Sequence, residues 1–508
     1  MSDELTQPKR MSRADQAGFL ILGRAGGRAM AIIAPVVLTR ILMPDEFGTY
    51  RQLMLLSSIL AHFAFLGLPG SVLYFYPRLR RSSQAALVVQ LSIVLGLLGL
   101  ASAAALVLLR ASVAEQFNNP RLAQLIPLFS IYAGITIAVG HVYNLLVAQG
   151  RVRRAALFSV VLLSVPTLGA VVGVLVHADL PHAVAGVALG GLLVAGWAAV
   201  IVVGFIASVR AGEEGFAWWD ARLFREQLAY GVPLGLAGAI GTLERHVDHL
   251  VVSSLTSPAA YAAYSLGAFV LPFMVLLANS VSTALIPAWA RAFQQDRKEE
   301  AIELFRRSVR RIALIALPGL GLLYLLAPDL IRFLFSDRYA ASIPVFRVFL
   351  FMLAAHTFSP SGILKGMGHT RVIFVGQSVA FLAGAGLVVA GIHVAGLPGA
   401  ALGKVAAECL RKGIYAWVIR RRLGAEGGSL FPWSSWLRIA VASAAAAAPT
   451  AAVALLLSPG LLRIVVCGAV FAPACLGALL LTRSLTLSDR ELLLRWISLR
   501  ALLGKKGR

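Results

Sequence analysis

The chain has 508 residues, of which 59% are hydrophobic and only 14% are charged, and its mean hydropathy is +0.81. This composition excludes a water-soluble protein, because a soluble domain needs far more charge to cover its surface. A formal net charge of +23 would suggest nucleic-acid binding in a soluble protein. Here the basic residues form short clusters between long apolar stretches, so we expect them to set membrane topology and expect no nucleic-acid partner.

The apolar stretches predict an all-α integral membrane protein. A hydrocarbon core of about 30 Å requires about 20 apolar residues per helix, and about fourteen segments meet that length. The first has no small-residue cleavage signature, so we expect a retained helix rather than a signal peptide. In chain order, the predicted spans are residues 18–39, 52–74, 85–109, 124–147, 155–177, 183–208, 229–253, 260–284, 312–335, 343–364, 372–393, 397–419, 438–457 and 461–482.

The basic clusters fall on alternate connections, which predicts that both termini are cytoplasmic. The inside clusters are Lys9/Arg10/Arg13, Arg78/Arg80/Arg81, Arg151/Arg153/Arg154, the 291–311 linker, residues 411–422 and the C-terminal tail. Two inside connections, 209–227 and 287–311, interleave aromatic and aliphatic residues with charges. We interpret both as amphipathic helices on the inner leaflet, the alternative being solvated linkers. The outside connections are too short for a catalytic domain.

Two pairs of motifs indicate an internal duplication. The first pair is Pro44, Phe47 and Tyr50 with Pro258, Tyr261 and Tyr264; the second is IPLF at 126–129 followed by LLVAQGRV with IPVF at 343–346 followed by ILKGMGHT. Each unit holds six spans, and an even number returns the chain to the same side. The units therefore form parallel repeats, as in some transporters, with the last two spans outside the duplication.

This reading predicts the domain organisation. We expect an N-terminal lobe at 1–208, a cytoplasmic linker at 209–228, a C-terminal lobe at 229–422, two additional spans within 438–482 and a basic cytoplasmic tail at 483–508.

Several motifs in order resemble a known family: LTRILMPDEFGTY, LGLPGSVLYFYPR, Asp248 followed by AAYAAYSL, and LFSDRYAASIPVF. Together they are similar to the Wzx-type polysaccharide flippases of the multidrug/oligosaccharidyl-lipid/polysaccharide (MOP) exporter superfamily, over most of residues 15–420. The resemblance implies two MATE-like six-helix lobes around a central cavity. It also implies alternating access and flipping of a lipid-linked oligosaccharide across the bacterial inner membrane.

Arginines in the first span are candidate substrate contacts. Arg24 and Arg28 are four residues apart on one helix face, about 9 and 15 Å from the inner boundary. Arg24 could instead reach the cytoplasmic surface with its long side chain, whereas Arg28 is too deep for that. A guanidinium binds phosphate oxygens bidentately, so this pair suits a lipid diphosphate.

The seventh span carries Glu244, Arg245, Asp248 and His249. Glu244 or Asp248 could bind the coupling ion, H⁺ or Na⁺, while Arg245 could line the cavity. The alternative is that Asp248 and His249 are solvated near the outer interface and that Glu244 pairs with an arginine of another helix.

Three further sets of residues call for an interpretation. Lys404 and Glu408, four apart, predict a structural ion pair. Asn144 is a candidate hydrogen-bond donor to a sugar. Cys409, Cys467 and Cys475 lie in apolar stretches and predict buried residues rather than a disulfide or metal site.

The leading functional hypothesis is a transporter that flips an undecaprenyl diphosphate-linked oligosaccharide. Its expected partners are membrane lipids, and a polysaccharide polymerase and a chain-length regulator are candidate partners. Alternatives are a lipid II flippase and a MATE-type drug exporter; the latter would need carboxylates in the first six spans, which contain none. A membrane polymerase or ligase would need a large external loop. We expect no enzymatic activity and no cofactor, since no nucleotide motif or metal-ligand spacing occurs.

Overall fold

The computed structural model describes residues 30, 33–211, 218–269, 283, 285–423 and 430–485, and these residues contain helices and turns but no strand. They form two compact units that meet in sequence between Ser265 and Leu266. The predicted all-α class is therefore confirmed over the described chain.

Among the described residues, the first unit contains eleven helices, the last of which extends two residues past the unit boundary. They are α1 (33–41), α2 (Pro44–Ala64), α3 (Leu68–Phe75), α4 (Arg81–Leu108), α5 (Arg110–Gln116), α6 (Arg121–Ala138), α7 (Val142–Ala148), α8 (Val152–His177), α9 (Leu180–Arg210), α10 (Ala221–Leu255) and α11 (Pro258–Gly267). Its core lies where α3, α4, α7, α8 and α9 meet, around side chains such as Leu91, Leu145 and Phe158.

The second unit contains the remaining helices. They are α12 (285–294), α13 (Lys298–Phe335), α14 (Ser342–Thr357), α15 (Ser361–Gly366), α16 (Thr370–Leu423), α17 (Trp433–Leu456) and α18 (Leu461–Leu481). Helix α16 is interrupted at Ala395 and Gly396, whose backbone is not helical, so it corresponds to two predicted spans. Helices α17 and α18 pack on α13 around Ala313, Ile439 and Phe471.

The lengths and composition of the helices agree with a multi-pass membrane protein. Within the described ranges, nine helices are long and apolar enough to cross a bilayer, and the bent pair α2 and α3, with a 48° break, makes a tenth. Helix α10 contains the predicted seventh span. The first and eighth predicted spans lie largely outside the described residues, so the total of about fourteen stays a prediction.

Glycines let α8 and α9 approach each other closely. A Cβ added to Gly186 would lie 1.9 Å from the carbonyl oxygen of Gly169, and one added to Gly173 would lie 2.1 Å from that of His182. In lipid, association of helices depends on such close packing, since the surrounding solvent is itself apolar. At the turn between them, Asp179 caps α9 by accepting a hydrogen bond from the His182 amide.

The duplicated motifs adopt the same local structure in both units. Pro44 and Pro258 each begin a helix. IPLF lies in α6 and IPVF in α14, and each helix is followed by a break, a short helix and a turn into a long helix. The turns contain Gly150 and Gly368, with φ of +71° and +75°, a left-handed conformation that favours glycine. The sequence duplication thus extends to the backbone.

Helix α10 lies in the first compact unit, where it packs against α2 and α3. At the break between α2 and α3, Gly67 lies so close to the backbone of α10 that an added Cβ would be 2.1 Å from the Gly231 carbonyl oxygen. The sequence assigned this helix to the C-terminal lobe; the lobe division at 208 and 229 stays a prediction.

The interpretation of residues 287–311 as a helix lying on the inner leaflet is wrong. Trp289, Phe305 and Val309 are buried in the second unit, where they pack with Ile363 and Tyr415. The reason is that α13 runs without interruption from Lys298, so the amphipathic part continues a membrane span and its apolar face is covered by protein. The expectation for 209–227 stays a prediction, with residues 212–217 outside the described chain.

Candidate functional site

The arginines with the strongest sequence argument, Arg24 and Arg28, lie outside the described residues, and their role stays a prediction. The ionisable residues of α10 are described, and they belong to the first unit.

Two acids and one arginine singled out in the sequence lie on different faces of α10, as their spacing predicts. Glu244 and Asp248 are buried, with 5% and 2% of their surface exposed, whereas Arg245 is exposed. The Arg245 guanidinium donates to Thr242 Oγ1 at 2.6 Å. The alternative in which Asp248 is solvated is wrong, because α11 covers its carboxylate.

Tyrosines of α11 surround the Asp248 carboxylate. The Tyr264 hydroxyl donates to Asp248 Oδ2 at 2.9 Å, and His249 Nε2 lies 3.9 Å from the same oxygen. The Tyr261 hydroxyl lies 3.4 Å from His249 Nδ1, and the two rings meet edge to face. A buried carboxylate, an imidazole and two phenols in contact can bind a cation or pass a proton.

Sequence reasoning missed Tyr261 and Tyr264 as site residues. Both had been noted, but only as members of the duplicated motif. Their spacing of three residues in α11 places both on the same face, and Asp248 lies sixteen residues before Tyr264, on the preceding helix α10. The signal was therefore a carboxylate near the end of one helix and two hydroxyls on one face of the next.

Helix α11 is fixed to α2 near the same cluster. The Ala259 amide donates to Asp45 Oδ1 at 3.2 Å, and a Cβ on Gly48 would lie only 1.9 Å from the Pro258 carbonyl oxygen. Asn118 Nδ2, in the turn before α6, donates to the Ser254 carbonyl at 2.8 Å. These contacts join α11 to α2 and the end of α10 to the turn before α6, on either side of the Asp248 cluster.

Asn144 has a structural contact. Its amide Nδ2 donates to the Pro69 carbonyl at 2.7 Å, which joins α7 to α3. Nearby, His141 is buried and lies 3.0 Å from Ser92 Oγ. A role for Asn144 in sugar binding stays a prediction.

In the second unit Glu408 is paired with cations that follow it on α16. Arg411 donates to its carboxylate, and Lys412 Nζ lies 3.3 Å from Glu408 Oε1. Lys412 Nζ also donates to the Ala355 and Phe358 carbonyls at 2.6 and 2.9 Å, at the C-terminal end of α14. A cation is stabilising there because it offsets the partial negative charge of the helix end. Lys404 is also buried, and its predicted pairing with Glu408 stays a prediction.

A second buried ion pair was not considered in the sequence analysis. Asp329 of α13 is buried, and its Oδ1 lies 3.5 Å from Arg463 Nη1 of α18. Because α18 lies outside the duplication, this pair attaches an appended helix to the repeat unit.

The cysteines are only partly as expected. Cys467 and Cys475 are buried, but the prediction for Cys409 is wrong, because it lies on an exposed face of α16. All three are free thiols. Among the described residues, no group of three or more His, Cys, Asp or Glu side chains could hold a metal ion.

Comparison with solved structures defines the class of fold, which this chain shares with a lipid II flippase and with MATE family transporters. An inward closed lipid II flippase MurJ superposes with a TM-score of 0.70 at 13% identity, over 92% of this chain and 99% of the other. An inward-facing multidrug resistance MATE family transporter of the MOP superfamily superposes with a TM-score of 0.61 at 15% identity, over 78% and 94%. These neighbours are transporters.

The family follows from sequence. A family model described as polysaccharide biosynthesis protein matches residues 37–344, more than half of the chain, and the chain belongs to that family. The capsular polysaccharide biosynthesis protein CapF of Staphylococcus aureus is 27% identical over 154 residues, which are 30% of this chain and 37% of CapF. The chain thus spans little more than a third of this curated relative. The resemblance to polysaccharide flippases is confirmed.

Proposed function

We propose that this protein flips an undecaprenyl diphosphate-linked oligosaccharide from the cytoplasmic to the periplasmic leaflet of a bacterial inner membrane. It would act by alternating access in polysaccharide or lipopolysaccharide biosynthesis. The observation that carries the proposal is the family match over residues 37–344 on a transporter fold. A transporter of lipid-linked repeats accounts for both the family match and the fold, whereas a polymerase or ligase would not need a transporter fold.

Arginines would hold the diphosphate. Arg24 and Arg28 of the first predicted span present two guanidiniums on one face, and each can bind phosphate oxygens bidentately without losing its charge. The exposed Arg245 of α10 is the third candidate. Asn144 could contact a sugar with the part of its amide that does not bind Pro69.

The gradient of H⁺ or Na⁺ would drive the cycle, and no cofactor is needed. Of Glu244 and Asp248, Asp248 is the better coupling-ion candidate, because its carboxylate is buried and hydrogen bonded by Tyr264. A change in its charge would alter the packing of α10 on α11, which is the kind of coupling that alternating access requires. Glu244, one turn earlier, could share the ion.

A lipid II flippase is the second candidate, and the structural likeness to MurJ favours it. The two functions share recognition of a lipid diphosphate and differ in the glycan. Work with a polysaccharide polymerase and a chain-length regulator belongs to the first candidate only. A MATE-type exporter is disfavoured, because the six predicted spans of the first lobe contain no carboxylate.

The experiment is complementation of a deletion strain. We expect deletion to leave the lipid-linked repeat on the cytoplasmic side, and Arg28→Ala to abolish glycan display without changing protein abundance. Arg13→Ala, which removes a cytoplasmic charge, is the matched control and should restore display. Normal display with Arg28→Ala would refute the role of that arginine, and arrest of peptidoglycan precursors instead of the repeat would select lipid II.

A further inference from the structure

A basic recess lies in the second unit, at the N-terminal part of α13, the start of α17 and the turn after α18. Its volume is about 730 Å³. The lining residues are Glu303, Arg306, Arg307, Arg310, Arg311, Pro432, Ser435, Arg438, Arg483 and Ser484. Among these described residues, six arginines and one carboxylate line the recess. We call this set the basic recess.

Three segments far apart in sequence converge on the basic recess. Arg310 of α13 reaches the turn after α18, where its Nη1 donates to the Ser484 carbonyl oxygen at 3.3 Å. That turn is itself fixed, because Ser484 is buried and its Oγ lies 2.8 Å from Thr482 Oγ1. Arg438 of α17 is positioned by its own helix, since its Nε donates to the Ser434 carbonyl at 3.1 Å.

Among the described lining residues, basic side chains outnumber acidic ones. Glu303 is the one acid of that set, and its Oε1 lies 2.8 Å from Arg307 Nε, while Arg311, Arg438 and Arg483 bring a further charge from each of the three segments. The rule that cytoplasmic connections are basic accounts for arginines in each segment, but it does not require them to converge on one hollow. Guanidiniums brought together repel each other, and an anion with several oxygens would remove that cost. Phosphate is the anion whose geometry the arginine fork matches best.

The surroundings of the recess favour a lipid over a soluble phosphate. Leu437 and Val441 next to Arg438 on α17, Ile315 one turn after Arg311 on α13, and Leu481 at the end of α18 are all exposed apolar side chains. Trp433, at the start of α17, is exposed as well, as expected of an aromatic residue at a membrane interface. A ligand with a phosphate head and acyl chains would contact both kinds of surface.

We propose that the basic recess binds the phosphodiester headgroup of an anionic membrane lipid, on the face that the charge distribution assigns to the cytoplasm. Basic pockets between helices on that side suit such headgroups. The lipid would join α17 and α18, which lie outside the duplicated helices, to α13. Binding does not depend on the transported substrate, so it is tested without one.

The test uses the purified full chain in detergent and mixed micelles. Bound lipid is counted by native mass spectrometry, and the affinity is taken from the rise in unfolding temperature on titration. We expect saturable binding of phosphatidylglycerol that weakens with salt, little effect of phosphatidylcholine, and little effect of inorganic phosphate at the same concentration. Equal binding of phosphatidylcholine, or stabilisation by inorganic phosphate but not by phosphatidylglycerol, would overturn the proposal.

Matched variants locate the site. Arg311→Gln with Arg438→Gln removes two charges from the recess, and we expect phosphatidylglycerol to bind roughly thirtyfold more weakly, the loss typical of two basic residues near an anionic lipid surface. Arg420→Gln with Arg422→Gln removes two exposed charges from the end of α16, outside the recess. That control should bind within about twofold of the original protein. Equal affinities of the two double variants would refute the site, and the lipid selectivity of the unaltered protein keeps the test informative if a variant does not fold.

Discussion

The contacts of Asp248 decide which role its carboxylate can have. In the sequence it is one of several ionisable residues in the predicted seventh span. In the structure its carboxylate accepts a hydrogen bond from Tyr264, and His249 lies beside it. A carboxylate removed from water in this way is costly unless its charge is compensated or changes during function. Because of this environment, we favour a role for Asp248 in binding the coupling ion over a purely structural role.

At the residue scale we predict that Asp248→Asn abolishes gradient-driven transport. The amide keeps the size and an oxygen that can accept from Tyr264, but it cannot carry the charge that a coupling ion needs. Glycan display in the deletion strain measures transport, and the unfolding temperature of purified protein checks the fold. Asp179→Asn is the control, because Asp179 is partly exposed in the turn before α9 and asparagine can also cap that helix; it should leave display unchanged. Full transport by the Asp248→Asn protein would remove the coupling role.

The pairing of α8 and α9 shows what packing adds at the scale of an element. Both helices are apolar around much of their surface, so their hydrophobicity alone does not select the faces that meet. The faces are set by Gly169, Gly173 and Gly186, where backbone contacts backbone and even a methyl group does not fit. Gly196 of the same helix α9, by contrast, has no atom within 4 Å of an added Cβ.

We therefore expect Gly186→Ala to lower stability by about 2 kcal/mol through overpacking. Gly196→Ala should be neutral or stabilise by about 0.5 kcal/mol, since alanine is the better helix former. Thermal unfolding of both variants in the same detergent, followed by circular dichroism, makes the comparison. Equal unfolding temperatures of the Gly186→Ala and Gly196→Ala proteins would show that the close approach of α8 and α9 does not contribute to stability.

At the scale of the whole molecule, the distribution of basic residues predicts the orientation of the protein in the membrane. The clusters recur on alternate connections from Arg78 to Arg422, and they predict both termini in the cytoplasm. The basic recess would then face the inner leaflet, where anionic lipid headgroups are available.

Cysteine labelling in intact cells tests this orientation. In a background with Cys409, Cys467 and Cys475 replaced by serine, we expect Glu115→Cys on α5 to react with a membrane-impermeant maleimide. Ala211→Cys after α9 should react only once the inner membrane is permeabilised. Both positions are exposed, so accessibility differs only by side. The opposite labelling pattern would invert the topology.

Sequence by itself determined the class of fold, the position of most spans and the motifs of the duplication. These features are local: a span needs about 20 apolar residues and satisfies its backbone hydrogen bonds within itself. A turn such as that at Gly150 or Gly368 needs one glycine. The prediction of a helix on the inner leaflet at residues 287–311 was wrong, because an amphipathic helix has the same sequence pattern whether lipid or protein covers its apolar face.

Only the tertiary structure decided which charges meet. Tyr264 on Asp248, Arg463 on Asp329, and Lys412 on the end of α14 are contacts between separate helices. The basic recess likewise joins three separate segments, at residues 303–311, 432–438 and 483–484. The pairing depends on the rotation and depth at which each helix packs, and these are set by side-chain fit along the whole interface. No short stretch of sequence contains that information, so the spans could be predicted and their partners could not.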